Sequence, residues 1–246
     1  MLTRMALKGK PGVAGHFLLK LDKERSCDQS ADTMIHEEFS TLTVLDHPII
    51  RVRLTALRNK DTGTPAFRKA LHDIAQLTAY EITRDLELNE VEVETPLVTT
   101  TGAELARPLV LVPILRAGVG LLNGFSDLLS ESIIGHIGMY RDEETLEPKS
   151  YYANLPTHDL AESDVILIDP MLATGSSSAE AAAQLKQAGA ARIRFVTLIA
   201  APQGVRHFAG AHPDIAIYTA SLDEGLDENA YIVPGLGDAG DRYFGA

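Results

Sequence analysis

The chain has 246 residues, 45% of them hydrophobic and 23% charged, which is enough apolar material for one large α/β domain with an ample core. Its 34 acidic and 22 basic residues give a formal net charge of −12, which argues against a non-specific grip on nucleic acid or an anionic membrane, since both need a basic face. No apolar run approaches the ~18 residues of a membrane span, and the single cysteine, Cys27, excludes disulfides within the chain and thiolate metal sites, so the cytoplasm is the expected compartment.

Residues 1–38 mix Gly, Pro, Ser and charge without a sustained period and read as a mobile extension; residues 39–246 read as a single domain. The apolar run at 13–19 is broken by Gly15 and His16, so no signal peptide is expected. Thr64 as N-cap, Pro65 in the first turn, and Phe67, Leu71, Ile74, Thr78 and Ile82 at three- and four-residue steps predict a long helix with one buried face. Residues 91–94 alternate as in an exposed strand. The segment PLVLVPILRAGVGLLNGFSDLL predicts a buried strand, a loop and a helix. GMYRDEETLEPKSYY, with strand-like flanks around 144–148, reads as a hairpin arm.

DVILIDPMLATGSSSAEAAAQLKQAGAARIRFVTLIAAP then predicts strand, loop, helix and strand, with the helix ending at Gly189. Both strands are apolar along nearly their whole length, as when helices cover both faces of a parallel sheet. The expected fold class is therefore α/β, an open, mostly parallel sheet flanked by helices, with a protruding β-hairpin arm.

The loop at residues 169–177 carries the most chemistry. It joins the carboxyl end of a buried strand to a helix N-terminus, where free N–H groups and the helix dipole favour an anion. Gly175 lets backbone approach a phosphate, and Thr174, Ser176, Ser177 and Ser178 offer hydroxyls. No lysine follows the glycine, so a Walker loop is excluded and a terminal monophosphate fits better. Near the C-terminus, Gly235, Gly237 and Gly240 match the Gly-x-Gly-x-x-Gly spacing of dinucleotide sites, but the chain stops six residues after Gly240, with no room for the crossover helix or second strand. The eight histidines show no metal or triad spacing: His72 reads as packed or solvent-facing, His207 and His212 as surface residues, and no side chain stands out as a general base.

An acidic strand end followed by a Thr-Gly-Ser loop resembles the PRPP-binding motif of type I phosphoribosyltransferases. Within them, DPMLATG, VPILRAG, GMYRDEETLEP and YIVPGLGDAGDRYFG resemble the uracil phosphoribosyltransferase family, in order, from His47 to the C-terminus. The resemblance implies transfer of the 5-phosphoribosyl group from PRPP to uracil, with Mg²⁺ carried mainly by PRPP. It implies that Asp169, Pro170, Met171, Leu172, Ala173, Thr174, Gly175, Ser176 and Ser177 hold the ribose and 5′-phosphate. Arg116 and Arg141 would meet pyrophosphate, and Ile232, Gly237, Asp238 and Ala239 would read uracil, with Asp238 also serving PRPP and metal; Arg116, Arg141, Asp169 and Asp238 are the catalytic set. It further implies a homo-oligomer, a dimer or higher with the hairpin arm involved, and GTP as an effector in some members.

Two departures or choices bear on this. Ser176 stands where the family usually has a second glycine, and if that position needs positive φ, serine costs about 1 kcal/mol or more. A non-catalytic nucleotide sensor on the same fold and a purine-specific transferase are the rival readings.

Overall fold

Alternation along the strands decides the layering of the molecule. The computed structural model describes residues 34–141, 148–156 and 160–246. Thr33–Ala246 forms one compact unit; the extension expected at 1–38 lies outside the described residues up to residue 33. Strands β1 (Met34–Ile35) and β2 (Leu42–Val44) pair antiparallel, so paired backbone begins ahead of residue 39. So short a pairing carries no period for a sequence to display.

Helix α1 (Pro48–Arg58) has no counterpart in the sequence reading, although Pro48 opens it and Ile50, Leu54 and Leu57 bury one face. Helix α2 (Thr64–Ile82) buries Phe67, Leu71, Ile74, Thr78 and Ile82, the face that the spacing predicts. Its cap is Gly63, in an extended conformation, and Thr64 is the first helical residue rather than the cap. Strands β3 (Leu88–Glu94) and β4 (Thr99–Leu105) form an antiparallel hairpin apart from the main sheet. Only residues within β3 were expected as strand, because TTTGAEL in β4 has no apolar alternation.

The main sheet begins its buried part with β5 (Leu109–Leu115), followed by α3 (Val119–Leu128), β6 (Ile133–Ile134) and the arm strands β7 (His136–Arg141) and β8 (Pro148–Asn154). β7 and β8 pair antiparallel, Arg141 opposite Pro148, as expected for an arm. Next come β9 (Asp164–Ile168), β10 (Met171–Leu172), α4 (Ser176–Gln187), β11 (Arg192–Ala200), α5 (Pro202–Ala211) and β12 (Ala216–Leu222). A small hairpin of β13 (Gly225–Leu226) and β14 (Ile232–Val233) leads into α6 (Ala239–Phe244).

The sheet order is β1-β2-β12-β11-β9-β5-β7-β8, with β10 beside β11 and β6 beside β5. All these neighbours run parallel except the edge pairs β1/β2 and β7/β8. Leu109, Leu111, Ile166 and Ile168 pack with α1, α2 and α3 on one face, while Val110, Val112, Val165 and Leu167 pack with α4 and α5 on the other. Two apolar sets per strand explain why β5 and β9 read as continuous apolar runs. Gly189, with φ +98°, follows the end of α4, as its position after the helical pattern predicts.

Connectivity locates the crevice. From β5 the chain proceeds to β7 on one side, and from β9 it proceeds to β11 and β12 on the other. The switch point lies between the carboxyl ends of β5 and β9, the place where ligands collect on open parallel sheets.

Candidate active site

Asp169 directly follows β9, at the switch point. The residue is half-buried, and burial pushes its pKa up to about 6. The Ser178 hydroxyl, donating at 3.2 Å, and the Met171 N–H oppose that rise without cancelling it. Ser178 is thus committed to the acid, not to a ligand phosphate as its place beside the loop suggests; it lies on the buried face of the first turn of α4, within reach of Asp169.

The loop from Pro170 to Ser177 turns back through β10, whose Met171 and Leu172 pair with β11, and enters α4. The helix is capped by Gly175 in the left-handed conformation, φ +83°, which has no side chain to satisfy the first N–H groups. Thr and Ser therefore do not take the cap, and the N-terminus of α4 keeps the character of an anion site. A methyl group on Gly175 would lie 2.7 Å from the Gly204 carbonyl at the start of α5, so backbone packs directly on backbone here. Ser176 is the first helical residue and is not among the residues with positive φ. The cost foreseen for serine does not arise, because the left-handed position is the glycine before it.

Arg116 sits in the turn after β5. The turn closes tightly: a Cβ on Gly118 would meet the Ile168 carbonyl at 2.7 Å, which places the turn against the end of β9, next to Asp169. The Leu115–Arg116 peptide is cis. Arg116 is exposed, and its guanidinium has no ion-pair partner among the described residues, unlike a routine surface arginine such as Arg206, which pairs with Glu38. Arg141 closes β7, next to β5 in the sheet; its side chain lies outside the described part.

The C-terminal glycines form the third wall. Gly235 and Gly237 have φ +61° and +77°, and a Cβ on Gly240 would lie 3.8 Å from that of Ala117, bringing this loop to the Arg116 turn. Asp238 caps α6, its Oδ1 accepting from the Asp241 N–H at 2.8 Å. Ile232 and Ala239 are buried, while Gly237 and Asp238 are exposed. β14 pairs only with β13, outside the main sheet, which gives the glycines no dinucleotide-binding strand.

The structure adds residues that the sequence reading omits. Arg58, at the end of α1, forks onto Asp223 with bonds of 2.8 and 2.5 Å, and Arg242 of α6 bonds the carbonyls of Leu236 and Asn59 at 2.9 and 2.8 Å. Pro48 with the Ile50, Leu54, Leu57 spacing would have exposed α1 and hence Arg58; nothing local marks its partner. His212 is also buried rather than at the surface: as the residue ending α5 it tucks against α4, 2.9 Å from the Ala179 carbonyl.

The family model described as uracil phosphoribosyltransferase matches residues 44–246. The uracil phosphoribosyltransferase of Streptococcus thermophilus is 55% identical over 203 residues, covering 82% of this chain and 97% of the relative. That of Alkaliphilus oremlandii is 52% identical over 207 residues, covering 84% and 99%. The solved structure of the AQ2163 protein from Aquifex aeolicus superposes with a TM-score of 0.78 at 35% identity, covering 82% of this chain and 97% of that one. The fold is that of the type I phosphoribosyltransferases, and the chain belongs to the uracil phosphoribosyltransferase family.

Proposed function

We propose that this chain transfers the 5-phosphoribosyl group from PRPP to N1 of uracil, giving UMP and pyrophosphate. The observation that carries the reading is the left-handed Gly175 that opens α4 six residues beyond Asp169, inside a family match over residues 44–246. In the reaction the bond from C1 of the ribose to pyrophosphate breaks, the bond to uracil N1 forms, and the N1 proton leaves. Positive charge grows on the ribose ring as negative charge grows on the departing group.

Asp169 accepts from the ribose hydroxyls and faces the growing positive charge, while residues 170–177 hold the 5′-phosphate. Arg116 and Arg141 take the pyrophosphate oxygens, for which the planar guanidinium fork is suited. Ile232, Gly237, Asp238 and Ala239 border the base. Uracil presents acceptor, N–H donor, acceptor along one edge, which main-chain groups can meet in full; cytosine leaves mismatched buried groups, worth about 10⁴-fold in selection. Positioning and electrostatics do the work, without a strong general base.

The carboxylates that the reading assigns to the substrates, Asp169 and Asp238, are hard oxygen donors of the type that suits Mg²⁺. Among the described residues no group of three or more His, Cys, Asp or Glu makes a protein cage, which is compatible with an ion that arrives on the substrate. Bound there, it would neutralise pyrophosphate oxygens. With PRPP and uracil, chelation of divalent ions is expected to stop pyrophosphate release, and added Mg²⁺ to restore it. Release that continues at full rate in chelator would remove the ion from the reading; PRPP binding without any release under Mg²⁺ would remove catalysis.

A homo-oligomer is part of the same proposal. The β3/β4 hairpin exposes Leu88 (61%), Leu97 (94%) and Val98 (66%) on a projection apart from the main sheet, an apolar surface suited to a second copy. GTP enters as an effector, and the cytoplasm as the compartment, on the family resemblance and the composition. No helix among the described residues is long and apolar enough to cross a membrane.

A further inference from the structure

Main-chain groups that read a ligand have no rotamers to adjust, so their accuracy depends on whatever holds their loop. In this chain the holding groups are side chains from distant elements. Asp223 follows β12 and is almost completely enclosed, its side chain 1% exposed. Its Oδ2 accepts from the Gly235 N–H at 3.0 Å, and its Oδ1 from the Ser221 hydroxyl at 2.7 Å. Arg58 donates through Nη1 to Asp223 Oδ2 at 2.8 Å and to the Gly235 carbonyl at 2.9 Å. Through Nη2 it donates to Asp223 Oδ1 at 2.5 Å and to the Ser221 hydroxyl at 3.1 Å.

Both polar main-chain groups of Gly235 are therefore held by one ion pair. Burial alone would push the Asp223 carboxyl up, but the Arg58 fork, the Ser221 hydroxyl and the Gly235 N–H outweigh it and hold it below the usual carboxylate range. Next along the chain, the Leu236 carbonyl accepts from Arg242 Nη1 at 2.9 Å. That guanidinium also bonds the carbonyls of Leu57 and Asn59 at the end of α1 and lies over the Phe67 ring, 4.5 Å from its centre. Gly235 itself cannot be replaced without moving the turn, since a Cβ would lie 2.0 Å from the Ile232 carbonyl. The turn from Ile232 to Gly237 is thus fixed at consecutive residues to α1 and to the end of β12.

We propose that the Arg58–Asp223 pair is a positioning device for base selection, setting the backbone turn at Gly235 so that its neighbours meet the edge of the pyrimidine. The inference rests on reading residues 232–239 as the base-contacting segment. Neither Arg58 nor Asp223 is assigned contact with substrate; each acts through Gly235. Breaking one arm displaces the reading groups by a fraction of an ångström, which in a preorganised site is worth about tenfold or more.

The test uses the full chain and three variants: Asp223→Asn, Arg58→Lys and Ser221→Ala. Asn keeps the shape and loses the charge, Lys keeps the charge and loses the fork, and Ala removes the two bonds of the Ser221 hydroxyl while leaving the ion pair. The readouts are KM for uracil, KM for PRPP, kcat and the uracil-to-cytosine ratio of kcat/KM. Asp223→Asn and Arg58→Lys are expected to raise KM for uracil about tenfold and to lower the uracil-to-cytosine ratio by a similar factor, with KM for PRPP within about twofold; Ser221→Ala moves the same parameters less.

A merely structural pair would lower the amount of active enzyme without this split between the two substrates. Folded variants whose uracil KM and base ratio match the parent would overturn the proposal. If Asp223→Asn and Arg58→Lys fail to fold, Ser221→Ala decides: an unchanged uracil KM overturns the role. Parent enzyme that uses cytosine as readily as uracil would overturn the base-reading segment itself, and with it this inference; parent enzyme selective for uracil with indifferent variants would remove the pair alone.

Discussion

Asp169→Asn is expected to lose about 10²- to 10³-fold in kcat while gaining thermal stability at neutral pH. The two effects share one cause. Burial pushes the Asp169 carboxyl up, and its pKa of about 6 in the folded protein exceeds the value of about 3.9 of an unperturbed aspartate. Between those values the folded state binds the extra proton, so this group makes stability fall as pH rises through the window, and the penalty is fully present above pH ~6. It amounts to something on the order of 3 kcal/mol at pH 7. Asn keeps one acceptor oxygen for Ser178 or Met171 and carries no buried charge, so its stability advantage should shrink as the pH is lowered and vanish below about pH 4. The same ionisation should appear as an acid limb in kcat/KM for the parent enzyme, since the charged form is the one that faces the ribose. Melting curves at pH 4, 6 and 8 beside steady-state rates check both halves; an Asn variant less stable than the parent at pH 8 would show that the charge is stabilised in a way this environment does not explain.

Gly175→Ala is expected to be the most damaging change of a single methyl group. The left-handed conformation costs an L-residue about 1–2 kcal/mol, and the contact of 2.7 Å with the Gly204 carbonyl has backbone on both sides, so neither can yield cheaply. Together they should destabilise the domain by roughly 2–5 kcal/mol. Relief by shifting the loop would carry the phosphate site with it, raising KM for PRPP by about 10²-fold. Ser176→Gly is the matched control: the serine has ordinary helical backbone, so glycine there should cost PRPP affinity no more than the roughly tenfold that one hydroxyl donor is worth and slightly weaken the first turn. Denaturant unfolding and PRPP titrations of both variants separate the two positions. A Gly175→Ala protein with parental stability and affinity would mean that the left-handed turn is dispensable.

These two residues also show what a linear sequence makes visible. Phe67, Leu71, Ile74, Thr78 and Ile82 announce α2 because one helix buries them all, and the apolar runs of β5 and β9 announce a sheet covered on both faces because neighbouring residues serve opposite cores. The loop after Asp169 is legible for the same reason: strand, turn and helix lie within one continuous stretch. By contrast, Arg58 meets Asp223 across 165 positions, and neither carries a local mark of the other. β4 hides because neither of its faces is buried, so nothing imposes a polarity pattern on it, and His212 hides because its burial depends on α4 packing over the end of α5. Ser176 illustrates a subtler limit. A glycine-rich motif signals that some residue is left-handed, but which one is decided by where the helix begins, and here that is Gly175.

The most direct test of the central claim is a base panel: purified protein with Mg²⁺ and PRPP, offered uracil, cytosine, hypoxanthine and orotate separately, with pyrophosphate release and the nucleotide formed both followed. UMP from uracil, with no nucleotide from the other three bases, is the expected result. Nucleotide formed from hypoxanthine instead would contradict the assignment of the C-terminal glycine loop to uracil, and silence with all four bases despite binding of PRPP or UMP would make the protein a nucleotide sensor on a transferase fold.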